Sequence, residues 1–314
     1  MQGGIVTGSA VSAKPANLHV RPPLWRQPRK WIAGYLFASP AIAFIVVFSI
    51  ISIVISLYIS FFQYDVISET HPFLGLGNYK EALFRDKVFW VALRNTAVYV
   101  VAVVPLITIC GFLLALAGHN ARQGRSFFRT VYYLPSITPM VVVALIWMWL
   151  YGPKGMINSL LKTVGINGPN WLFDQHWAMP AVIIMSVWQS VGYYTVIYLA
   201  GLSDIPKDYY DAARVDGANW WQEVRHVTIP LLHNVTLFVT VTLAIFAFQV
   251  FTQVYIMTRG GPGEATATMQ YIIFRNGFEY FRMGYAAAIS WLLFIVIFAL
   301  AMLQLRINRS EQFF

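Results

Sequence analysis

Residues 31–62 read WIAGYLFASPAIAFIVVFSIISIVISLYISFF and contain no charged residue. At about 1.5 Å of rise per residue, a helix of this run would be roughly 48 Å long, which is more than a ~30 Å hydrocarbon core requires. We therefore predict that Pro40 divides the run into an interfacial turn and a transmembrane helix near residues 41–62. A secretory signal peptide is the alternative, but its apolar part would be only about 7–15 residues long.

Further apolar runs follow along the chain, at residues 90–117, 131–151, 178–202, 231–257 and 285–305. Each can supply the ~20 residues that a spanning helix requires. Only helices and closed barrels satisfy their backbone hydrogen bonds in lipid, and runs of this length exclude barrel strands. Buried helices of a soluble protein are the alternative, but only 11% of the 314 residues are charged, against about 25% in soluble domains. The sequence thus predicts an all-α membrane protein with six transmembrane helices over residues 31–314, preceded by a basic cytoplasmic tail at residues 1–30.

The basic residues indicate the orientation, because cytoplasmic segments of membrane proteins carry an excess of Lys and Arg. If the N-terminus is cytoplasmic, thirteen of the 22 Lys and Arg lie in inner segments: five in the tail, three in 118–130, three in 203–230 and two after residue 305. Both termini are therefore predicted to be cytoplasmic, with residues 63–88, 152–177 and 259–284 outside. Membrane topology explains the net charge of +9 better than nucleic-acid binding does.

The spans lack the groups on which several chemistries depend. They contain no acidic residue, no lysine and no histidine well inside, whereas ion-coupled carriers and membrane-embedded enzymes commonly use such groups. The chain has no Gly-x-x-x-x-Gly-Lys-Ser/Thr phosphate loop, so any ATP hydrolysis must occur on a partner and no catalytic residue is predicted. The single cysteine, Cys110, cannot form a Cys-rich metal site, and no metal ligand is predicted.

The inner segment 203–230 contains the most informative stretch, IPKDYYDAARVDGANWWQEVRHVTIP at residues 205–230. Pro206 and Asp208 can start a short helix, since proline suits the first helical turn and an acidic residue suits a helix N-terminus. Gly217 can end this helix by adopting a left-handed backbone.

A second short helix is expected from about Asn219 to Val227, and Pro230 is expected to open the next span. Small side chains allow another surface to approach closely at Ala212, Ala213 and Ala218. From these features alone, a solvated amphipathic connector and a docking surface are equally good interpretations.

The stretch resembles the signature loop of binding-protein-dependent ABC importer permeases, whose pattern is Glu-Ala-Ala, three residues, Gly, nine residues and then Ile-x-Leu-Pro. This chain has Asp211-Ala212-Ala213, three residues, Gly217, nine residues and Val227-Thr228-Ile229-Pro230. All spacings agree, and the departures are conservative. From about residue 31 onward the chain also resembles the maltose-type branch, which handles sugars, at Asn78-Tyr79 with Asn95-Thr96, Gly152-x-x-Gly155-x-x-Asn158, Gly260-Gly261-Pro262 and Gly284-Tyr285-Ala286-Ala287.

This resemblance implies the six-helix fold of type I ABC importer permeases, in a bacterial or archaeal cytoplasmic membrane. It also implies a second homologous permease subunit, two ATPase subunits that hold ATP and Mg, and an extracytoplasmic sugar-binding protein. No cofactor is expected on this chain itself. The segment 203–230 would be the coupling helix that sits in a cleft of the ATPase, with coupling residues Asp211, Ala212, Ala213, Gly217, Ala218 and Pro230.

Alignment with maltose-type permeases implies a substrate face on the spans before and after this loop. It places Ser186, Ser190 and Tyr193 on the first and Leu243, Phe246, Ala247 and Val250 on the second. Because polar contacts of the maltose protein become Leu243, Ala247 and Val250 here, we expect the polar face nearer Gln249 and Gln253, which are spaced as neighbours on one helix. The predicted substrate-binding residues are Ser190, Tyr193, Phe246, Gln249 and Gln253, with helix–helix packing as the alternative role of each.

The substrate class follows from the lack of basic residues well inside the spans. They offer no buried Lys or Arg for a phosphate or carboxylate, so a neutral di- or oligosaccharide is favoured. Glycerol 3-phosphate, which close relatives carry, and acidic oligosaccharides are the alternatives within the family. An ion-coupled secondary sugar carrier is the alternative from a different class.

Overall fold

The computed structural model describes residues 28–120 and 125–309. These residues are mostly helical, and the β-structure among them consists of two isolated bridges. Most of the predicted tail 1–30 and the centre of the predicted inner segment 118–130 lie outside the described residues. The chain divides into two compact units at residues 55 and 56.

The first helix, α1, runs through Pro28–Ile45, one π-helical turn at Val46–Ile50, and Ile51–Ile59. It passes through Pro40 without interruption, so the prediction that Pro40 ends an interfacial turn is wrong. Proline removes the N–H that would bond the carbonyl of Leu36, but Ser39 Oγ donates to that carbonyl at 2.8 Å. The carbonyl therefore keeps a partner, and the apolar stretch Gly34–Ile59 remains one candidate span.

Three of the predicted runs form long helices in the second unit. They are α3 (Lys87–Asn120), α7 (Ala178–Asp204) and α13 (Met283–Arg309). The short helix α2 (Gly77–Phe84) precedes α3, and the short helix α6 (Met156–Thr163) lies between α3 and α7 in sequence. Helix α3 packs most extensively against α7. The largest fully buried side chains include Ile107, Met185 and Tyr198, so the core of this unit lies around these two helices.

The run 131–151 does not form one straight span. It is divided into α4 (Arg125–Ile137) and α5 (Met140–Leu150), which are bent by 107°. The break lies at Thr138 and Pro139, where proline disfavours a helical conformation of the preceding residue and lacks an N–H of its own.

The run 231–257 is also interrupted, which the sequence analysis did not anticipate. Helix α8 (Lys207–Val215) is followed by α9, which comprises Trp220–Glu223, a π-helical turn Val224–Thr228 and Ile229–Leu231. A bend of 65° separates α9 from α10 (His233–Phe248). Pro230 therefore lies in the last turn before the bend and does not open the next span, contrary to prediction.

A second interruption, the helix break at residues 249–251, separates α10 from α11 (Thr252–Met257). Gln249 and Gln253 are thus not neighbours on one helix, and that prediction is wrong. Beyond α11, the helix α12 comprises Met269–Phe274 and a π-helical turn Arg275–Glu279.

Length and composition give four described helices that can each cross a membrane, or six if each bent pair forms one span. The bent pairs are Thr130–Ile137 with Met140–Leu150 and Trp220–Leu231 with His233–Phe248. The all-α prediction is confirmed within the described residues, and the two bent pairs fall where the third and fifth spans were expected.

Candidate functional site

The segment predicted to be the coupling helix (residues 203–230, named the coupling loop) contains α8, which ends in a Schellman motif. Asp216 caps it, and Gly217 follows with φ of +82°. The amide of Gly217 donates to the carbonyl of Arg214 at 3.0 Å, and that of Ala218 donates to Ala213 at 2.9 Å, which is the bonding pattern of this helix end. The predicted left-handed turn at Gly217 is confirmed.

Helix α9 begins with a capping box at Asn219, the residue near which the second short helix was predicted to start. Asn219 Oδ1 accepts from the amide of Gln222 at 3.0 Å, and Gln222 Oε1 accepts from the amide of Asn219 at 2.8 Å. Two amides that a helix N-terminus leaves without partners are thereby satisfied. The helix continues past the predicted end at Val227 to Leu231.

An ion pair joins the two helices of the coupling loop. Arg214 donates through Nε to Glu223 Oε1 at 2.8 Å and through Nη2 to Oε2 at 3.3 Å. The Glu223 side chain is only 10% exposed, and its hydrogen bonds raise the pKa of the Arg214 guanidinium above its ordinary value. The sequence analysis missed this pair, although opposite charges on either side of a glycine turn were its visible signal.

The predicted coupling residues lie on the surface of the loop. Asp211, Ala212, Gly217 and Pro230 are exposed, while Ala213 and Ala218 are half-buried. Asp211 Oδ1 lies 3.6 Å from Arg214 Nη1, within its own helix. Trp220 and Trp221 are also exposed beside the turn, so the loop presents small, aromatic and charged groups together.

A cavity of about 450 Å³ lies among the helices of the second unit. All five predicted substrate residues, Ser190, Tyr193, Phe246, Gln249 and Gln253, line it. Its other lining residues are Tyr99, Val103, Ile107, Ser136, Met140, Gln189, Tyr194, Leu243, Ala247, Val250, Phe251 and Thr252. None of them is Asp, Glu, Lys, Arg or His, so the lining combines apolar and neutral polar groups.

The predicted substrate residues differ in how far they are exposed. Tyr193 and Phe246 are 52% and 67% exposed, and Gln249 is exposed at the helix break. Gln253 is 8% exposed, and its Nε2 donates to Tyr99 OH at 3.3 Å and to Ser186 Oγ at 3.4 Å. Both bonds use the amide nitrogen of Gln253 as the donor.

Five polar cavity residues were not among the predicted substrate residues: Tyr99, Ser136, Gln189, Tyr194 and Thr252. Tyr99 and Ser136 were missed because they lie on helices that the alignment did not connect with the substrate. Ser136 Oγ donates to the carbonyl of Gln189 at 2.8 Å and accepts from the amide of Tyr193 at 3.1 Å. A regular helix would join those two backbone groups directly. At the same crossing, a Cβ on Gly192 would overlap the carbonyl of Tyr132, so α4 and α7 are in close backbone contact.

Two further sequence motifs stabilise turns in the segments that are predicted to lie outside. Asn78 Nδ2 donates to the carbonyls of Ser60 and Phe62, each at 2.9 Å. Asn158 accepts from Trp171 Nε1 at 2.9 Å. These side chains satisfy backbone and indole groups in turns, which is a structural role.

Comparison with known proteins identifies the family. Residues 107–310 match the family described as binding-protein-dependent transport system inner membrane component. The chain is 38% identical to the probable ABC transporter permease protein YurN of Bacillus subtilis (strain 168) over 284 residues, which are 89% of this chain and 97% of the relative. It is 34% identical to the lactose transport system permease protein LacF of Rhizobium radiobacter over 287 residues, 90% of this chain and 95% of LacF.

The same fold occurs in a solved transporter. The crystal structure of a bacterial ABC transporter involved in the import of the acidic polysaccharide alginate contains a chain that matches with a TM-score of 0.81 and 23% identity. The match covers 91% of this chain and 98% of that chain. Family, relatives and fold agree, and the chain belongs to the binding-protein-dependent transport system inner membrane components, the permease subunits of ABC importers.

Proposed function

We propose that this permease passes a carbohydrate, specifically a neutral di- or oligosaccharide, across the cytoplasmic membrane. The observation that carries the proposal is the cavity, whose lining has neutral polar groups beside exposed aromatic rings. Ligand sites are commonly of this composition, mostly apolar with a few placed polar groups. The relative LacF is named for the transport of lactose, which is an uncharged disaccharide.

Each predicted substrate residue has a role in this proposal. Tyr193 and Phe246 offer ring faces against which the apolar face of a sugar can pack. Ser190 and Gln249 offer hydrogen bonds to hydroxyl groups, and Gln253 offers its amide oxygen from the buried side. All of these groups are uncharged. A sugar hydroxyl that leaves water can therefore replace its hydrogen bond to water by one to a neutral group of the cavity.

An acidic oligosaccharide is the second candidate, because the structural neighbour belongs to an alginate importer. Glycerol 3-phosphate is the third. Either anion would lie in a lining that supplies no cationic side chain, and an anion removed from water without a partner is strongly disfavoured. The cavity therefore supports the neutral substrate.

The assembly that we propose has this chain paired with a second homologous permease. Two ATPase subunits bind ATP and Mg beneath the pair, and an extracytoplasmic sugar-binding protein delivers the substrate. The coupling loop docks on the ATPase, which requires both termini of this chain to be cytoplasmic. In this assembly the chain conducts the substrate and couples transport to the ATPase. Residues 31–314 are the permease domain, and residues 1–30 are the cytoplasmic tail that precedes it.

Uptake by the complete reconstituted importer tests the proposal. With its binding protein and ATP present, neutral probes such as lactose and maltose are compared with an alginate oligosaccharide and glycerol 3-phosphate. We expect ATP-dependent uptake of a neutral sugar. Uptake of only the anionic probes would overturn the neutral-sugar assignment, and sugar uptake that follows an ion gradient without ATP would support the secondary carrier instead.

A further inference from the structure

The helix break at residues 249–251 contributes part of the cavity wall, and one of its carbonyls has an unusual donor. In an uninterrupted helix, the carbonyl of Val250 would accept from the amide of Val254. Here Thr268 Oγ1 donates to the carbonyl of Val250 at 2.9 Å. Thr268 is fully buried, so a side chain 18 residues further along the chain replaces a helical hydrogen bond.

Thr268 ends a compact outer loop, residues 258–268. Thr266 ties this loop together, since its Oγ1 lies 2.7 Å from Thr258 Oγ1 and donates to the carbonyl of Gly261 at 2.8 Å. Glu264 in the loop accepts from Arg275 of α12 at 2.8 Å. The loop is therefore an ordered unit rather than a plain connection between helices.

The outer loop is also fixed to α3. Asn95 Nδ2 donates to the carbonyls of Glu264 and Ala267, at 2.8 and 3.0 Å. Thr96 Oγ1 accepts from the amide of Met269 at 2.9 Å, immediately after Thr268. The Asn95-Thr96 pair thus holds the loop at the position from which Thr268 reaches the helix break.

We propose that Thr268 is a positioning residue of the transport cavity. Its hydroxyl joins the outer loop to the helix break, so a displacement of the loop on the extracytoplasmic side moves the backbone at Gln249, Val250 and Phe251. The proposal rests on the proposed function in that it takes the cavity as the sugar site. It adds a hydrogen-bonded connection between the cavity wall and the outer loop, although no residue of that loop lines the cavity.

The chain contains a matched control for this role. Thr266 and Thr268 are both fully buried threonines of the same loop, but Thr266 bonds only within the loop. Thr→Val at either position removes a hydroxyl at nearly constant shape. Only Thr268→Val leaves the carbonyl of Val250 without its donor, which favours rewinding of the break toward a regular helix.

The test measures the geometry of the break directly. In a Cys110→Ala background, Gln249→Cys is introduced into the complete importer, and its rate of reaction with N-ethylmaleimide is recorded. We expect Thr268→Val to change this rate by on the order of tenfold, since an unsatisfied buried carbonyl shifts conformational equilibria by about that factor. Thr266→Val and Thr268→Ser should leave the rate near that of the parent.

Equal rates for Thr268→Val and Thr266→Val would overturn the positioning role. If Thr268→Val does not accumulate in the membrane, Thr96→Val and Thr96→Ser provide the same comparison at the other end of the connection, and equal rates there would have the same meaning. The labelling rate requires no sugar. A failed sugar assignment, seen in the uptake assay, is therefore distinguishable from a failed role of Thr268.

Discussion

Gly217 carries the turn between the two helices of the coupling loop with φ of +82°. No atom would contact a Cβ placed there, so a side chain costs the isolated chain only the strain of a left-handed backbone, about 1–2 kcal/mol. An effect larger than this strain must come from a surface that docks against the turn.

We expect Gly217→Asp to weaken association with the ATPase and to reduce binding-protein-stimulated ATP hydrolysis, with a smaller defect for Asp211→Ala. Gly165 is the matched control, because it has φ of +77° and equally open surroundings but lies on the predicted outer side. Gly165→Asp should leave association unchanged. Co-purification of the ATPase measures the effect. Equal amounts of ATPase bound to Gly217→Asp and Gly165→Asp would contradict a docking role for the turn.

The cavity residues make a second prediction at this scale. Tyr193→Ala and Gln249→Ala should raise the apparent KM for the transported sugar about two- to tenfold, since a lost hydrogen bond contributes about 0.5–1.5 kcal/mol. The amount of assembled complex should not change. Tyr133→Ala is the control, as Tyr133 is an exposed tyrosine of α4 that does not line the cavity. Normal uptake kinetics in both cavity variants would show that the sugar does not bind at these two residues.

At the scale of elements, the Arg214–Glu223 pair determines how α8 and α9 are held together. Removing the guanidinium leaves a largely buried carboxylate without its partner, which is more costly than removing both charges. Arg214→Met should therefore lower ATPase association several-fold. Adding Glu223→Gln to that variant should restore part of the loss. A double variant no better than Arg214→Met would show that Arg214 acts by contacting the ATPase itself.

Apolar run length predicted α3, α7 and α13, because a lipid-spanning helix satisfies its own backbone and needs little else. It did not predict the breaks. At Pro40 a proline leaves the helix intact because Ser39 supplies the missing bond, while the break at residues 249–251 is supported by Thr268. Both outcomes depend on side-chain hydrogen bonds that apolar periodicity does not encode.

Part of the candidate site was also predicted from the sequence. The loop motif located Gly217 and Asn219 correctly, since caps and turns are local. Alignment selected Ser190, Tyr193 and Phe246, which line the cavity. Gln249 and Gln253 line it too, although they were chosen as neighbours on one helix and the break separates them. Tyr99 and Ser136 required the packing of α3 and α4 against α7, which one sequence does not specify.

At the scale of the whole molecule, the orientation is testable with two valines at the ends of short helices. Val164 follows α6 and Val215 ends α8, and both are highly exposed. In a Cys110→Ala background, cysteine at position 164 should react with an impermeant maleimide in intact cells, whereas cysteine at 215 should react only after the membrane is opened. Labelling of position 215 from outside would reverse the proposed topology.

Three hydrogen-bonded features of the coupling loop are formed by residues of the loop alone. Its Schellman motif, capping box and Arg214–Glu223 pair all lie between residues 213 and 223, and none borrows a partner from the spans. Such a segment is portable: grafted into another permease of the family, it should keep its shape and bring its ATPase preference with it. The exchange of this stretch alone, with the spans unchanged, therefore separates the choice of ATPase from the choice of substrate, which is the outcome that docking of the coupling loop on the ATPase requires.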